Sequence, residues 1–149
     1  ARVDYPSRVE ERQILDRMIS GEAPAVARVL AGDTVRGLTK RVREVYMDDR
    51  LRDYIVALVS ATRTPREVGL VDLAPLIAYG ASPRATLSFS EACRAVAFLR
   101  GRGYVVPEDV KEIAKDVLRH RVLLTYEAEA EDVTSDTVID RILERVEVP

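Results

Sequence analysis

Residues 80–103, Gly-Ala-Ser-Pro-Arg-Ala-Thr-Leu-Ser-Phe-Ser-Glu-Ala-Cys-Arg-Ala-Val-Ala-Phe-Leu-Arg-Gly-Arg-Gly, hold the start, body and stop of one helix. Ser82 offers a capping hydroxyl, and Pro83 takes the first helical position, where its missing N–H costs nothing. Leu87, Ala92, Cys93, Val96, Ala97 and Leu99 are expected to form the buried side, and Gly101 and Gly103 to end the helix. Arg84 stands in the first turn, where the helix dipole disfavours a cation. That placement suits a site at which an anion arrives, since a helix N-terminus and a guanidinium together receive phosphate oxygens. From the residues alone Arg84 is either a candidate anion-binding residue or simply a solvated one, as most first-turn arginines are.

The same signals recur outward from this helix. Downstream, Pro107-Glu108-Asp109 opens a helix with Val110, Ile113, Ala114, Val117 and Leu118 inside. Residues 120–126 read as extended and 127–132 as an exposed acidic stretch. Ser135 is expected to cap a last helix whose inner residues are Val138, Ile139, Ile142, Leu143 and Val146. Upstream, residues 64–81 read as a long loop with one helical turn near Leu73. Before it, Asp48 opens a helix with Leu51, Tyr54, Ile55, Leu58, Val59 and Thr62 on one side, ended by Arg63-Thr64-Pro65. Asp33 is expected to cap another helix, striped by Val35, Leu38, Val42 and Val45. Residues 21–33 form a connector in which Val26 to Leu30 is a short extended piece. Ser7 and Glu10 make a capping box for a first helix with Val9, Ile14, Leu15, Met18 and Ile19 on its apolar face, stopped by Gly21. The sum is an all-α bundle of about six helices, with at most a short β-strand pair.

Composition narrows the function. With 149 residues, 47% apolar and 32% charged, the chain is one ordinary domain with enough apolar side chains for a core. A net charge of −2 argues against a dedicated nucleic-acid binder, which carries a basic excess. One cysteine and one histidine exclude a disulfide framework and a Cys/His metal centre. No uncharged apolar run reaches the ~18 residues of a membrane span, and no secretory signal is read, so a soluble cytoplasmic domain is expected.

Several motifs mislead. Gly32 to Thr39 has the glycine spacing of a P-loop, but Leu38 stands where the phosphate-binding lysine belongs. Tyr46-Met47-Asp48-Asp49 spells a two-metal aspartate signature, yet it falls between two amphipathic helices, where Asp48 is a cap. Cys93, on an apolar face, reads as an inert buried thiol, and His120 as a helix-end residue. The basic run Arg36 to Arg43 covers one helix face and reads as solvated or subunit-contacting rather than DNA-binding.

Gly80-Ala81-Ser82-Pro83-Arg84-Ala85 resembles the sensor 2 motif of the MoxR family of AAA+ ATPases. Val45 to Asp49, Tyr54 to Val59 with Thr62-Arg63, Leu99 to Val110, Val117 to Arg121 and the closing Ile142 to Pro149 resemble further family blocks in the same order. Asp4-Tyr5-Pro6-Ser7 with Glu10-Glu11 resembles the chain leaving the ATPase core. Gly103 and Val106 depart from the pattern, the first from an acidic or polar residue and the second from a capping Ser or Thr.

The resemblance implies a C-terminal lid, with residues 1–20 leading out of the ATPase core and 21–149 forming the helical domain. It implies that the start at Ala1 is a cut after the catalytic core. It implies ATP with Mg2+ in the full-length protein, Arg84 as the cofactor-binding residue, and no catalytic or metal-binding residue in this stretch. The implied partners are its own core, neighbouring subunits of a ring, usually a hexamer, and proteins with a von Willebrand factor A domain. The implied role is chaperone-like remodelling or metal-cofactor activation of other proteins. Alone, the chain is expected to fold without hydrolysing ATP or binding it strongly. A free-standing helical interaction module accounts for the amphipathic helices equally well but leaves Arg84 without a role. A DNA-binding helical domain would use the Arg36–Arg43 face, against the acidic balance.

Overall fold

The computed structural model describes residues 4–21 and 25–149. Two compact units divide the chain, Ala1–Gly37 and Leu38–Pro149.

In the first unit α1 (Arg8–Ser20) has the expected capping box. Glu10 Oε2 accepts from the Ser7 N–H at 2.8 Å, and Ser7 Oγ accepts from the Glu10 N–H at 3.3 Å. Gly21 ends the helix at φ 70°. Val9, Ile14, Leu15, Met18 and Ile19 are all exposed, so its apolar face is uncovered. Of the connector, residues 22–24 lie outside the described residues, as does Ala1. Val26 to Leu30 form no strand, which corrects the extended piece expected there. Helix α2 (Gly32–Glu44) runs from the first unit into the second. It begins before Asp33, so Asp33 sits in the first turn and pairs with Arg36 instead of capping. Gly32 and Gly37 are helical, which removes the P-loop lookalike.

The second unit holds the core. Asp48 caps α3 (Asp49–Ala61), accepting from the Arg50 N–H at 2.9 Å, and all six expected inner residues are buried. Two 3-10 turns, Pro65–Val68 and Val71–Leu73, replace the expected loop, followed by β1 (Ile77–Tyr79). Helix α4 (Arg84–Leu99) packs against α3 and against α5 (Pro107–Leu118). Its buried residues are Ala85, Phe89, Cys93 and Ala97, a ladder at spacing four. Leu87 and Leu99 are exposed, a correction to the expected inner face. Three of its four residues are small, and Phe89 fills the remaining space; Ala114 of α5 is likewise fully buried.

The turn from α4 to α5 is pinned twice. Gly101, at φ 71°, donates to the Phe98 carbonyl, and the Arg102 N–H donates to the Ala97 carbonyl at 2.9 Å, a Schellman stop. The fully buried Asp109 accepts from Arg102 at 2.6 and 2.8 Å and from the Val106 N–H at 3.0 Å. This carboxylate compensates for the missing cap side chain at Val106.

After α5 only Leu123–Leu124 (β2) is strand, and Tyr126 already begins α6 (Tyr126–Ala130), so the expected extended segment is much shorter. The acidic stretch is largely this helix, with Ala128 buried. Helix α7 (Ser135–Arg145) is capped by Thr134, which accepts from the Thr137 N–H at 3.2 Å. Ser135, the expected cap, instead donates to the Val122 carbonyl. Val138, Ile139 and Ile142 are buried, with α7 packed on α5 and α3. The described residues thus form seven helices and one two-stranded antiparallel sheet. Among them no helix is long and apolar enough to cross a membrane.

Candidate functional site

The start of α4 is built from three directions. From β1 the chain passes through Gly80 and Ala81, which lie against the end of α3. The Ala81 N–H donates to Thr62 Oγ1 at 2.9 Å, and Thr62 Oγ1 donates to the Val59 carbonyl at 2.6 Å. Arg63 Nη1 donates to the Ala81 carbonyl at 2.7 Å. Both backbone polar groups of Ala81 are thereby held by adjacent side chains of α3's last turn and its cap. Gly80 is needed for the approach: a Cβ there would stand 2.3 Å from the Thr62 carbonyl oxygen. Ala81 and Ala85 are fully buried, so larger side chains do not fit either.

Pro83 has φ −56°, already helical. The Ser82 hydroxyl makes no cap bond, which corrects the expected capping role. The Ser82 carbonyl accepts from the Ala85 N–H and the Pro83 carbonyl from the Thr86 N–H, at 2.9 and 3.1 Å. With these two donors engaged, the charged group left at this helix start is the Arg84 side chain. It is exposed and has no hydrogen bond or ion pair with any described residue.

The third direction comes through the sheet. In the antiparallel β1–β2 pair, Tyr79 lies opposite Leu123, so the chain entering β2 runs beside the chain leaving β1. This brings Arg121 to α4, where its Nη1 donates to Ser88 Oγ at 2.9 Å. Ser88 Oγ donates to the Arg84 carbonyl at 3.2 Å. Arg121 Nε donates to His120 Nε2 at 3.1 Å, so His120 bonds a neighbouring side chain rather than helix-end carbonyls. Arg63 and Arg121 thus brace the start of α4, and Arg84 projects from it.

Sequence reasoning named Arg84 as its candidate and passed over Ser88 and the structural roles of Arg121, Thr62 and Gly80. Arg63 was visible only as a family match. The discounted residues stay discounted: Asp48 caps α3, and burial, with a smaller contribution from the Asp109 charge, pushes the Cys93 thiol up to about 12. Arg41 of the basic run pairs with Glu44 at 3.0 Å.

The donor set decides which group fits. Guanidinium groups take phosphate oxygens and repel a metal cation. No cluster of three His, Cys, Asp or Glu able to hold a metal exists among the described residues. An exposed guanidinium at this end of α4 suits anionic oxygens such as those of a phosphate rather than a metal cation.

Residues 72–142 match the AAA lid domain family. The chaperone MoxR1 of Mycobacterium tuberculosis is 44% identical over 149 residues, covering 99% of this chain and 39% of that protein. Protein MoxR of Paracoccus denitrificans is 37% identical over 105 residues, 66% of this chain and 31% of that protein. A crystal structure of a candidate ATPase from Cytophaga hutchinsonii superposes with a TM-score of 0.84 at 36% identity, covering 99% of this chain and 45% of that one. The chain spans less than half the length of each of these relatives. Fold, site and matches together define an AAA lid domain. The chain belongs to the MoxR family of AAA+ ATPases, of which it is the C-terminal lid.

Proposed function

We propose that this lid closes over a nucleotide held by the ATPase core of the same protein, with residues 1–20 leading from that core and 21–149 forming the lid. Arg84 acts as the sensor 2 arginine. Its guanidinium binds phosphate oxygens of ATP, neutralises their charge and loses that contact after hydrolysis. Mg2+ travels with the nucleotide and is held by the core. The observation that supports this reading is the unpaired, exposed Arg84 at the head of a helix whose other side is fully buried. A side chain mounted on a rigid element transmits a small displacement to the whole element. The lid would in this way turn nucleotide state into subunit geometry in a cytoplasmic ring of six copies, driving chaperone-like remodelling or metal-cofactor activation of client proteins. Partners with a von Willebrand factor A domain fit that role.

The test is Arg84→Ala in the full-length protein. ATP turnover should fall about 100-fold, as when one transition-state donor is removed, with the circular dichroism spectrum and ring size unchanged. Unaltered turnover in a properly assembled ring would refute the assignment.

A further inference from the structure

Two bonds join Arg121 to the backbone of Arg84. Ser88 sits one turn after Arg84, and its hydroxyl donates back to the Arg84 carbonyl at 3.2 Å. Its oxygen keeps lone pairs facing outward, and Arg121 Nη1 donates to it at 2.9 Å. The result is a polarised chain, guanidinium to hydroxyl to carbonyl, in which each bond strengthens the next.

The other end of this chain is fixed. Arg121 lies in the turn between α5 and β2, where its N–H donates to the Leu118 carbonyl at 2.8 Å and the Val122 N–H to the same carbonyl at 3.0 Å. Its guanidinium bonds Ser88 and His120, while the carboxylates of Asp116 and Asp136 are bonded by Arg119. A second guanidinium at the positive end of α4 is electrostatically unfavourable until an anion is present. Its hydrogen bonds spend that cost on holding one turn of backbone, the turn that carries Arg84.

We propose that Arg121 is a positioning residue for Arg84. Through Ser88 it fixes the first turn of α4, so the Arg84 guanidinium meets the nucleotide phosphate at a set angle. The inference rests on the reading of Arg84 as the phosphate contact. It assigns the α5–β2 turn a part in nucleotide sensing, although that turn lies 33 residues from Ser88 in the chain.

A double-mutant cycle in the full-length protein tests it. Arg121→Met keeps the apolar stem and removes the donors. Alone it should lower turnover about tenfold, the effect of a modest misplacement of a catalytic contact. Combined with Arg84→Ala it should lower turnover no further, because a residue acting through Arg84 has nothing left to position. Losses that multiply overturn the proposal, since a general structural role would act in either background. If Arg84→Ala itself changes nothing, the phosphate reading fails, and the tie is judged on the 149-residue chain. There Arg121→Met and Ser88→Ala should each speed amide exchange at Thr86, Leu87 and Ser88 about tenfold, leaving the core of α4 protected. No change at those amides overturns the tie as well.

Discussion

Replacing Gly80 with alanine drives a methyl group into the end of α3. The added Cβ would lie 2.3 Å from the Thr62 carbonyl oxygen, 2.6 Å from its carbon and 2.8 Å from Arg63 Cγ. Side-chain Cγ can rotate away, but the carbonyl is backbone. Reaching even 3.0 Å from that oxygen requires a shift of 0.7 Å, the difference from 2.3 Å. The Ala81 N–H to Thr62 Oγ1 bond, at 2.9 Å, would open to about 3.6 Å under the same displacement and cease to be a hydrogen bond. Overpacking costs about 1–3 kcal/mol, and the lost buried bond adds about 1 kcal/mol. Alanine's smaller unfolded-state entropy returns roughly 0.5 kcal/mol. The expected net loss is about 1.5–3.5 kcal/mol, a fall in Tm of roughly 5–11 °C. Thermal and urea unfolding followed by circular dichroism measure it. Two other glycines calibrate the result. Gly101→Ala meets no neighbour but keeps φ 71° and should lose about 1–2 kcal/mol. Gly103→Ala meets nothing and has ordinary backbone, so it should be neutral or slightly stabilising. A Gly80→Ala protein melting within about 2 °C of the parent would refute the close-approach argument.

Asp109→Ala should cost about 3 kcal/mol, measured by urea unfolding, because it strands the Arg102 guanidinium, whose side chain is only 23% exposed. Burial pushes the Asp109 carboxyl up, but the Arg102 hydrogen bonds, the Val106 N–H and the charges of Arg102 and Arg100 outweigh it and hold the pKa below the ordinary value. Its stabilisation is therefore complete above about pH 4 and is lost as the pH falls through the folded-state value. Asp109→Asn should flatten that acid limb, and an unchanged pH profile would refute it. Tyr54→Phe should leave stability equal or raise it by up to about 1 kcal/mol, since the Tyr54 hydroxyl is buried without a partner among the described residues. A loss above about 0.5 kcal/mol would mean the hydroxyl is satisfied after all.

Helices with one dominant apolar stripe were legible in the sequence. In α3, α5 and α7 the expected inner residues are buried or half-buried, since β-branched and leucine side chains fall at helical spacing and polar residues fill the other faces. In α4 the same reasoning placed Cys93 and Ala97 on the buried side but erred at its two ends. It favoured the large Leu87 and Leu99 and overlooked Ala85 and Phe89. The spacing-four ladder was present in the sequence, but small residues mark a close approach only when the neighbouring helix is known. At α7 two hydroxyls compete: Thr134 and Ser135 are adjacent, and the one with extended backbone takes the cap. For the site, Arg84 stood out as a candidate because its charge conflicts with the local dipole and because its segment resembles a family motif. Arg121 and Thr62 were not, because nothing local distinguishes them. Their roles come from β1–β2 pairing and from the contact of Gly80 with α3, both long-range.

The β1–β2 pair also sets the order in which the site is built. It joins Tyr79 to Leu123 and so encloses α4 and α5 within one closed loop. Closing a loop of that length from a disordered chain costs on the order of 3 kcal/mol of entropy. The helical hairpin inside needs no such closure, since the Schellman stop and the Asp109 carboxylate join residues near in sequence. Once that hairpin exists, the two strands are already near and the closure cost falls. The clasp therefore closes late, and the arginine end of α4 matures after its glycine end. In unfolding the order is expected to reverse, with the Arg84 end of α4 the first to come apart.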